Sequence, residues 1–275
     1  MQKSLFSPDQ QTAQETRNTF QPPVYIGSGG WNYRDWVGAF YPPYLDKADW
    51  LTHYATQFPS VEIDGTFYSI PSESTVRTWH KRTPGDFVFT AKVPRIITHE
   101  RRLRDVEDVL RAFLDRISLL GDKLGPLLLQ FPPSFTADNF ELLHDFLPTL
   151  PANFRFALEV RDAGWLHQRF YELLSANNIA FTITDSEYIP RKSRVTADFT
   201  YLRWIGSHTS GFDFFGKVQA DRTGDLRDWA TVILKKFKSM DIDIYGFFNN
   251  HYMGFSPGSI RELYRIYQEM ANADE

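Results

Sequence analysis

Polar and charged side chains stand at the ends of short apolar runs along this chain, where they could bind charge or transfer protons. These residues are Asp64, Lys92, Gln130, Arg161, Asp185, Arg203 and Asn249, with Ser28 on the first run. A charge inside an apolar run is costly unless it is paired, whereas the C-terminal ends of barrel strands commonly carry catalytic residues. The pattern therefore predicts one mixed-charge site to which several strands contribute.

Two kinds of chemistry follow from these residue types. Guanidinium and ammonium groups bind phosphate or carboxylate oxygens, and the candidates for such an anion clamp are Lys92, Arg161 and Arg203. Carboxyl groups can act as general acids or bases, and the candidates are Asp64, Glu159 and Asp185. Other candidates for contacts with a substrate are Trp31, Tyr68, His99, Arg101, Gln130, Asn249 and Asn250.

The elements that must position these residues alternate along the chain. Strand-like apolar runs cover residues 24–30, 60–67, 86–93, 125–132, 155–162, 179–185, 199–206 and 243–250. Most of the intervening segments repeat apolar residues at three- and four-residue intervals, as helices do. Alternating strands and helices indicate a parallel sheet, and eight such units predict an α/β fold of the closed (β/α)₈ TIM type.

Domain boundaries follow from changes in composition. Residues 1–22 are rich in Gln, Thr and Ser and predict a flexible N-terminal extension, whereas residues 23–272 predict a single barrel domain. Between the sixth and seventh strands the chain offers only Ser186 to Asp198, with Pro190 and a cluster of basic residues. We therefore expect the sixth helix to be very short or missing.

Side-chain alternation along each strand sorts the charged residues by depth. Glu62 and Asp64 share one face of the second strand, and Glu159 and Arg161 share one face of the fifth. The same rule pairs residues on three further strands: Thr90 with Lys92, Leu128 with Gln130, and Tyr201 with Arg203. We expect these polar faces to line the barrel, with Glu62 and Glu159 deeper, where a structural role is an equal alternative.

This placement carries an expectation about stability. If Lys92 and Arg203 are gathered for a ligand, Lys92→Met and Arg203→Met should leave stability near wild type or raise it. Losses of about 3 kcal/mol or more in both variants would instead mark buried structural pairs.

Six segments carry a resemblance to a known family. In chain order they are GSGGWNYRDWVGAFYPP, FPSVEIDGTFYSIP, FVFTAKVPRIITHERRL, GPLLLQFPPSF, FALEVRDAGW and YGFFNNHYMG. Across about residues 24–265 the chain resembles the YecE-like family, also called domain of unknown function 72. The resemblance implies a TIM-type barrel and no established reaction. The chain has Asp64-Gly65 where the family often has Asn-Ser, Asp162-Ala163 where a pair such as His-Ser is common, and His251 where Asp is frequent.

The leading hypothesis is an enzyme, either a hydrolase or a lyase, that binds a phosphorylated or other anionic substrate at the barrel mouth. A nucleic-acid-binding or phosphodiester-processing protein is the first alternative, because residues 92–104 are rich in basic side chains. A noncatalytic barrel that binds a metabolite or a partner protein is the second. A glycosidase is disfavoured, because strands four and seven end at Gln130 and Arg203 and lack the usual carboxylates.

Composition excludes several other classes. The absence of cysteine among 275 residues excludes disulfides, thiolate metal sites and a cysteine nucleophile, and it fits a cytoplasmic protein. No run approaches the roughly 20 apolar residues of a membrane span, so no membrane partner is expected. His99, His208 and His251 could join carboxylates around a divalent metal, although no ligand spacing requires one, and no cofactor is identified.

Overall fold

Eight parallel strands close into a barrel in which neighbours in sequence are neighbours in space. This computed structural model describes residues 23–207, 209 and 211–273, so the extension predicted for residues 1–22 lies outside the described residues. The strands are β1 Val24–Gly29, β2 Ser60–Ile63, β3 Val88–Lys92, β4 Leu124–Gln130, β5 Phe156–Glu159, β6 Ala180–Ser186, β7 Phe199–Gly206 and β8 Asp243–Phe248. Hydrogen bonding between β1 and β8 closes the ring and confirms the TIM-type barrel.

Helices cover the outside of the barrel. They are α1 Trp50–Gln57, α2 Glu73–Lys81, α3 Glu107–Ile117, α4 Phe140–Phe146, α5 Gln168–Ala176, α6 Thr223–Val232 and α7 Ser256–Ala273. Buried apolar side chains hold them against the strands; in α3 these form a stripe of Leu110, Phe113, Leu114 and Ile117. Within the described residues, no helix is both long enough and apolar enough to cross a membrane.

The connection between β6 and β7 contains no helix, as its sequence predicted. Residues 187–198, all described, run as irregular chain that buries Ile189 and Thr196 and leaves Arg191, Lys192 and Arg194 exposed. The Thr196 hydroxyl accepts a hydrogen bond from the Phe181 amide and donates one to the Ile179 carbonyl. This segment therefore bonds directly to the start of β6 without a covering helix.

Alternation along the strands separates two apolar regions. Outward residues such as Ile26, Val61 and Ile183 pack against the helices in the main core. Inward residues form a smaller cluster within the barrel, which contains Leu128, Ala157, Ala180, Phe199, Tyr201, Tyr245 and Phe247. The inward positions nearer the C-terminal ends of the strands are polar, so the apolar plug supports an ionic layer above it.

Short helical turns follow several strands, among them the first three, and shape the C-terminal end of the barrel. One turn covers Arg34–Trp36 after β1, another covers Gly65–Phe67 after β2, and a π-helical turn covers Ile96–Glu100 after β3. The Thr66 hydroxyl lies 2.9 Å from the Ile63 carbonyl oxygen and 2.7 Å from the Lys92 carbonyl oxygen. These contacts fix the second turn against the ends of β2 and β3.

Candidate functional site

A cavity of about 580 Å³ opens at the C-terminal end of the barrel, and we call it the mouth cavity. Eight residues predicted from the sequence line it: Asp64, Tyr68, Lys92, His99, Gln130, Arg161, Arg203 and Asn249. Four other lining residues were not predicted as site residues: Tyr33, Phe67, Arg95 and Ile205. Arg95 belongs to the basic segment of residues 92–104, whereas Tyr33, Phe67 and Ile205 are aromatic or apolar and no local pattern distinguishes them.

Arg203 forms the floor of the mouth cavity. Its Nη2 atom lies 2.8 Å from Oε1 of Glu62 on β2, and its Nη1 atom lies 2.5 Å from Oε2 of Glu159 on β5. The Arg203 side chain is only 3% exposed, and its Nε atom has no hydrogen-bond partner among the described residues. Burial alone would lower the pKa of Arg203, but Glu159 and Glu62 raise it above the ordinary arginine value.

These contacts bear on the expectation that Arg203 belongs to an anion clamp with Lys92 and Arg161. Both of its terminal amino groups are committed to buried carboxylates from two other strands. Removing one partner of a buried ion pair leaves an uncompensated charge and is strongly destabilising. We therefore expect Arg203→Met to destabilise the fold, contrary to the expectation of near-wild-type stability.

Glu159 is the second member of the floor. Its Oε1 atom accepts hydrogen bonds from Gln130 Nε2 and Arg161 Nε, both at 3.0 Å, while Oε2 accepts from Arg203. Burial would raise the pKa of Glu159, but Arg203 and Arg161 lower it to about 2. With both oxygens occupied and the carboxylate ionised, Glu159 is suited to orient cations and poorly suited to proton transfer at neutral pH.

Glu62 and Asp64 are neighbouring carboxyl groups of different character. Glu62 is fully buried and receives a 2.7 Å hydrogen bond from the Tyr201 hydroxyl, and burial raises its pKa above the ordinary value. Asp64 lies 2.6 Å from Lys92 Nζ through its Oδ1 atom. Burial raises the pKa of Asp64, but Lys92 and Arg203 outweigh burial and lower it. Because its side chain is 28% exposed, ionised Asp64 is accessible from the mouth cavity.

Two cations of the mouth cavity keep uncommitted donors. Arg161 uses Nε for Glu159 and stacks its guanidinium group 4.6 Å from the ring centre of Tyr188. Neither of its Nη atoms has a hydrogen-bond partner among the described residues. Lys92 Nζ lies close to Asp64 and 3.9 Å from Glu62, which leaves at least one of its N–H groups for another acceptor. Both side chains are accessible, at 18% and 13% exposure respectively.

His99 contributes a ring on the π-helical turn. Its Nδ1 atom lies 2.9 Å from the Thr98 hydroxyl, and its ring packs edge-on against Phe67 at 5.0 Å. Burial, together with the cations Arg161 and Arg95, lowers the pKa of His99 to about 4. His99 is therefore neutral near pH 7 and carries one N–H donor beside the cationic wall.

Asp185 lies outside the mouth cavity, contrary to its predicted role as an acid or base. Its Oδ2 atom accepts hydrogen bonds from Trp229 Nε1 at 2.8 Å and from the Tyr252 hydroxyl at 3.1 Å. The inward face of β6 is filled by Thr182 and Thr184, so Asp185 points to the helix layer. Its contacts hold α6 against the barrel.

Other predicted residues also lie outside the mouth cavity. The Asn250 Oδ1 atom accepts from Trp36 Nε1 and from the Ser256 amide, which is a structural role on the outer side. Arg101 is exposed and donates to the Asp105 carbonyl oxygen. Trp31 lines a separate, smaller cavity.

Ser28, which lies on the first strand-like run, also points outward. Its hydroxyl lies 2.8 Å from the hydroxyl of Tyr54 on α1. The residue therefore joins the strand to the helix layer and contributes no side chain to the mouth cavity.

The described residues contain no cluster of three or more His, Cys, Asp or Glu side chains that could hold a metal ion. Of the three histidines considered for a metal, His99 lines the mouth cavity, His251 packs edge-on against Phe215, and His208 lies outside the described residues. The described donor set therefore does not fit a metal centre, and the acidic residues of the mouth are engaged by cations.

Fold and site together define a (β/α)₈ barrel protein with a layer of interlocked charges beneath an open polar cavity. The family model described as "Protein of unknown function DUF72" matches residues 25–274. The chain belongs to this family, as its sequence motifs predicted.

Relatives in two bacteria and two solved structures support this assignment. The chain is 32% identical over 270 residues to the UPF0759 protein YunF of Bacillus subtilis, covering 88% of this chain and 94% of that protein. It is 33% identical over 148 residues to the UPF0759 protein YecE of Escherichia coli K12; this match covers 54% of the chain and only 50% of the relative's length.

The structural likeness extends over most of the chain. A DUF72 family protein from Thermotoga maritima matches with a TM-score of 0.74 and 27% identity, covering 90% of this chain and 98% of that one. A DUF72 family protein from Enterococcus faecalis matches with a TM-score of 0.69 and 21% identity, covering 89% of this chain and 95% of that one; this match supports the fold alone. None of these descriptions states a reaction.

Proposed function

We propose that the protein is an enzyme that binds a small anionic substrate, a phosphate or carboxylate compound, in the mouth cavity. One observation carries this proposal: Lys92 and Arg161 face the same cavity with N–H groups for which the described residues supply no acceptor. Cations with free donors in a partly enclosed site favour a negatively charged ligand, because oxygen anions accept several such bonds at once.

The charge balance of the mouth cavity supports the same conclusion. Arg203 is neutralised by Glu62 and Glu159, and Lys92 is paired with Asp64. Burial raises the pKa of Glu62, so this carboxyl opposes the cations of the site less than an ordinary glutamate would. An entering anion therefore meets a cationic wall above carboxylates that are already hydrogen-bonded.

Asp64 is the proposed acid or base, because it is ionised, accessible and held by Lys92. In a hydrolase or lyase reaction it would take a proton from water or from the substrate, and Lys92 and Arg161 would stabilise the negative charge that develops. Glu159 and Arg203 would act as positioning residues, since their contacts fix the orientation of Arg161 and the floor.

Replacing Arg161 tests anion binding directly. We expect Arg161→Met to weaken the binding of inorganic phosphate by about tenfold or more, since a hydrogen bond to a charged group contributes roughly 1.5–3 kcal/mol. Isothermal titration calorimetry on the full chain measures the effect. Arg101→Met is the matched control, because Arg101 is an exposed arginine outside the mouth cavity. Equal losses in both variants, or no phosphate binding by the wild type, would contradict the proposal.

Asp64→Asn separates an enzyme from a noncatalytic binding protein. We expect the variant to retain phosphate binding within a few-fold, because Asp64 is itself an anion, while turnover of any phosphate ester or carboxylate substrate found by screening falls by about 10²-fold or more. Full turnover in Asp64→Asn would exclude Asp64 as the acid or base.

A further inference from the structure

A second cavity, of about 300 Å³, adjoins the mouth cavity, and we call it the side pocket. Both cavities are lined by Tyr33 and Asp64. The remainder of the side pocket consists of Trp31, Trp79, Ile63 and the segment around Gly30 and Gly65, with Asn32 as its polar member. The two cavities therefore share a boundary at the proposed acid or base while differing in chemistry.

Fixed aromatic rings form the wall of the side pocket. Trp31 and Trp79 meet edge-to-face at 5.7 Å, and Trp31 also packs against the buried Phe89 at 6.5 Å. A cavity of about 150 Å³ lined by apolar side chains can hold a benzene ring, so the side pocket has room for one planar ring. Aromatic walls favour such a ring through stacking and edge-to-face contacts.

Tyr33 makes the shared boundary apolar on one side. Its hydroxyl donates to the Gly29 carbonyl oxygen at 2.5 Å, and burial raises the pKa of Tyr33 above the ordinary value. The hydroxyl is thus committed and neutral, and the ring is the part of Tyr33 that remains for contact. Asp64 then lies between the cationic wall formed by Lys92 and Arg161 and the aromatic wall formed by Trp31 and Trp79.

We propose that the substrate has two parts: an anionic group that binds in the mouth cavity, and a planar apolar ring attached to it that binds in the side pocket. This inference rests on the proposed function and narrows its substrate class to aryl-type phosphates or carboxylates. The bond between ring and anionic group passes Asp64, which places the proposed acid or base beside the linkage.

Matched pairs of ligands test the inference on the full chain. Calorimetric titrations compare inorganic phosphate with phenyl phosphate, and acetate with benzoate. We expect the ring-bearing member of at least one pair to bind about tenfold more tightly than its partner, because the ring leaves water for an apolar pocket. Equal affinities within both pairs overturn the side-pocket inference and leave the proposed function intact. No binding of any of the four overturns both.

Two variants locate the ring. Gly65 lines the side pocket, and a Cβ added there would meet no atom within 4 Å, so Gly65→Leu adds an apolar side chain at the pocket without a clash at its Cβ. Trp79→Ala instead removes one of the aromatic rings that line the side pocket. In both variants we expect the preference for the ring-bearing ligand to fall below about threefold. A wild-type preference that survives in a folded Gly65→Leu protein would place the ring elsewhere and overturn the inference.

Discussion

Arg203 forms ion pairs with carboxylates from two other strands and so links three strands inside the barrel. Its guanidinium group bonds Glu62 of β2 and Glu159 of β5, and Glu159 in turn orients Gln130 and Arg161. The buried Arg203 therefore helps to position the accessible Arg161 through Glu159. The same residue types on an exposed surface would contribute little, because solvent screens such pairs.

The stability of the Arg203→Met variant tests these buried ion pairs. We expect a loss of about 3–5 kcal/mol in the free energy of unfolding, because two buried carboxylates lose their common partner. Lys92→Met is the comparison, since Lys92 pairs with the more accessible Asp64 and should cost about 1 kcal/mol or less. Urea denaturation followed by tryptophan fluorescence gives both values. Equal, small changes would show that Arg203 is held ready for a ligand.

His99 predicts how anion binding depends on pH. Its pKa of about 4 in the free protein lies below the ordinary value of 6.5, and Arg161 and Arg95 contribute to that depression. A bound anion offsets these cations and so raises the pKa of His99. At a pH between the pKa of the free protein and that of the anion-bound protein, anion binding is therefore accompanied by uptake of a proton. We therefore expect the dissociation constant for sulfate to fall by about threefold to tenfold from pH 7 to pH 5.

Sulfate suits this measurement because it does not titrate in that range. His99→Gln is the control, and its sulfate affinity should change less over the same pH interval. An equal pH dependence in the two proteins would assign the titration to another group, such as Glu62.

Residue alternation predicted much of the mouth cavity but not its internal pairing. Lys92, Gln130, Arg161 and Arg203 were assigned to the interior because each lies two residues beyond another inward position. Which carboxylate meets which cation depends on the stagger of strands across the barrel, and no local pattern records it. For this reason the pairing of Arg203 with Glu62 and Glu159 could not be predicted from the sequence.

Strand β6 shows where alternation becomes ambiguous. Either Ala180, Thr182 and Thr184 or the alternate set with Asp185 could face inward, and the terminal charge favoured the second set. The structure has the small residues inside and the bulky Phe181 and Ile183 outside. Bulky side chains fill the wider space under the helices, so residue size predicts the face of β6 better than charge does.

Asp185→Asn tests the corrected role of this residue. We expect sulfate affinity within twofold of wild type, because Asp185 does not line the mouth cavity. We also expect a loss of about 1–3 kcal/mol in stability, since the hydrogen bonds from Trp229 and Tyr252 lose a charged acceptor. A loss of anion binding without a change in stability would restore Asp185 to the site.

The whole barrel was predictable from the number and order of its elements. Eight strand-like runs of suitable length admit few arrangements other than a closed ring. The lack of a helix between β6 and β7 was indicated by the short segment there, with Pro190 and its cluster of basic residues. The π-helical turn that carries His99 was not predictable, because five residues are too few to show a period.

Charge on the scale of the molecule bears on the nucleic-acid alternative. The net charge is -4, yet the basic segment of residues 92–104 contains exposed arginines such as Arg101 and Arg104. We expect short single- and double-stranded oligonucleotides to show no measurable binding at about 50 mM salt. The affinity for nucleic acid grows with the number of phosphates that basic side chains neutralise, and this segment can neutralise only a few. Fluorescence anisotropy checks this result. Tight binding that weakens steeply with salt would favour a phosphodiester-processing protein.

The helix-free connection from β6 to β7 also divides the molecule into unequal parts. Six strands precede it and two follow it, while its basic residues lie at the surface. A cut at this connection would leave the β6–β7 and β1–β8 hydrogen bonds as the two seams that hold the pieces together. The barrel therefore has a natural place for division into complementary fragments, and reassembly of the mouth cavity from two polypeptides would proceed along those seams.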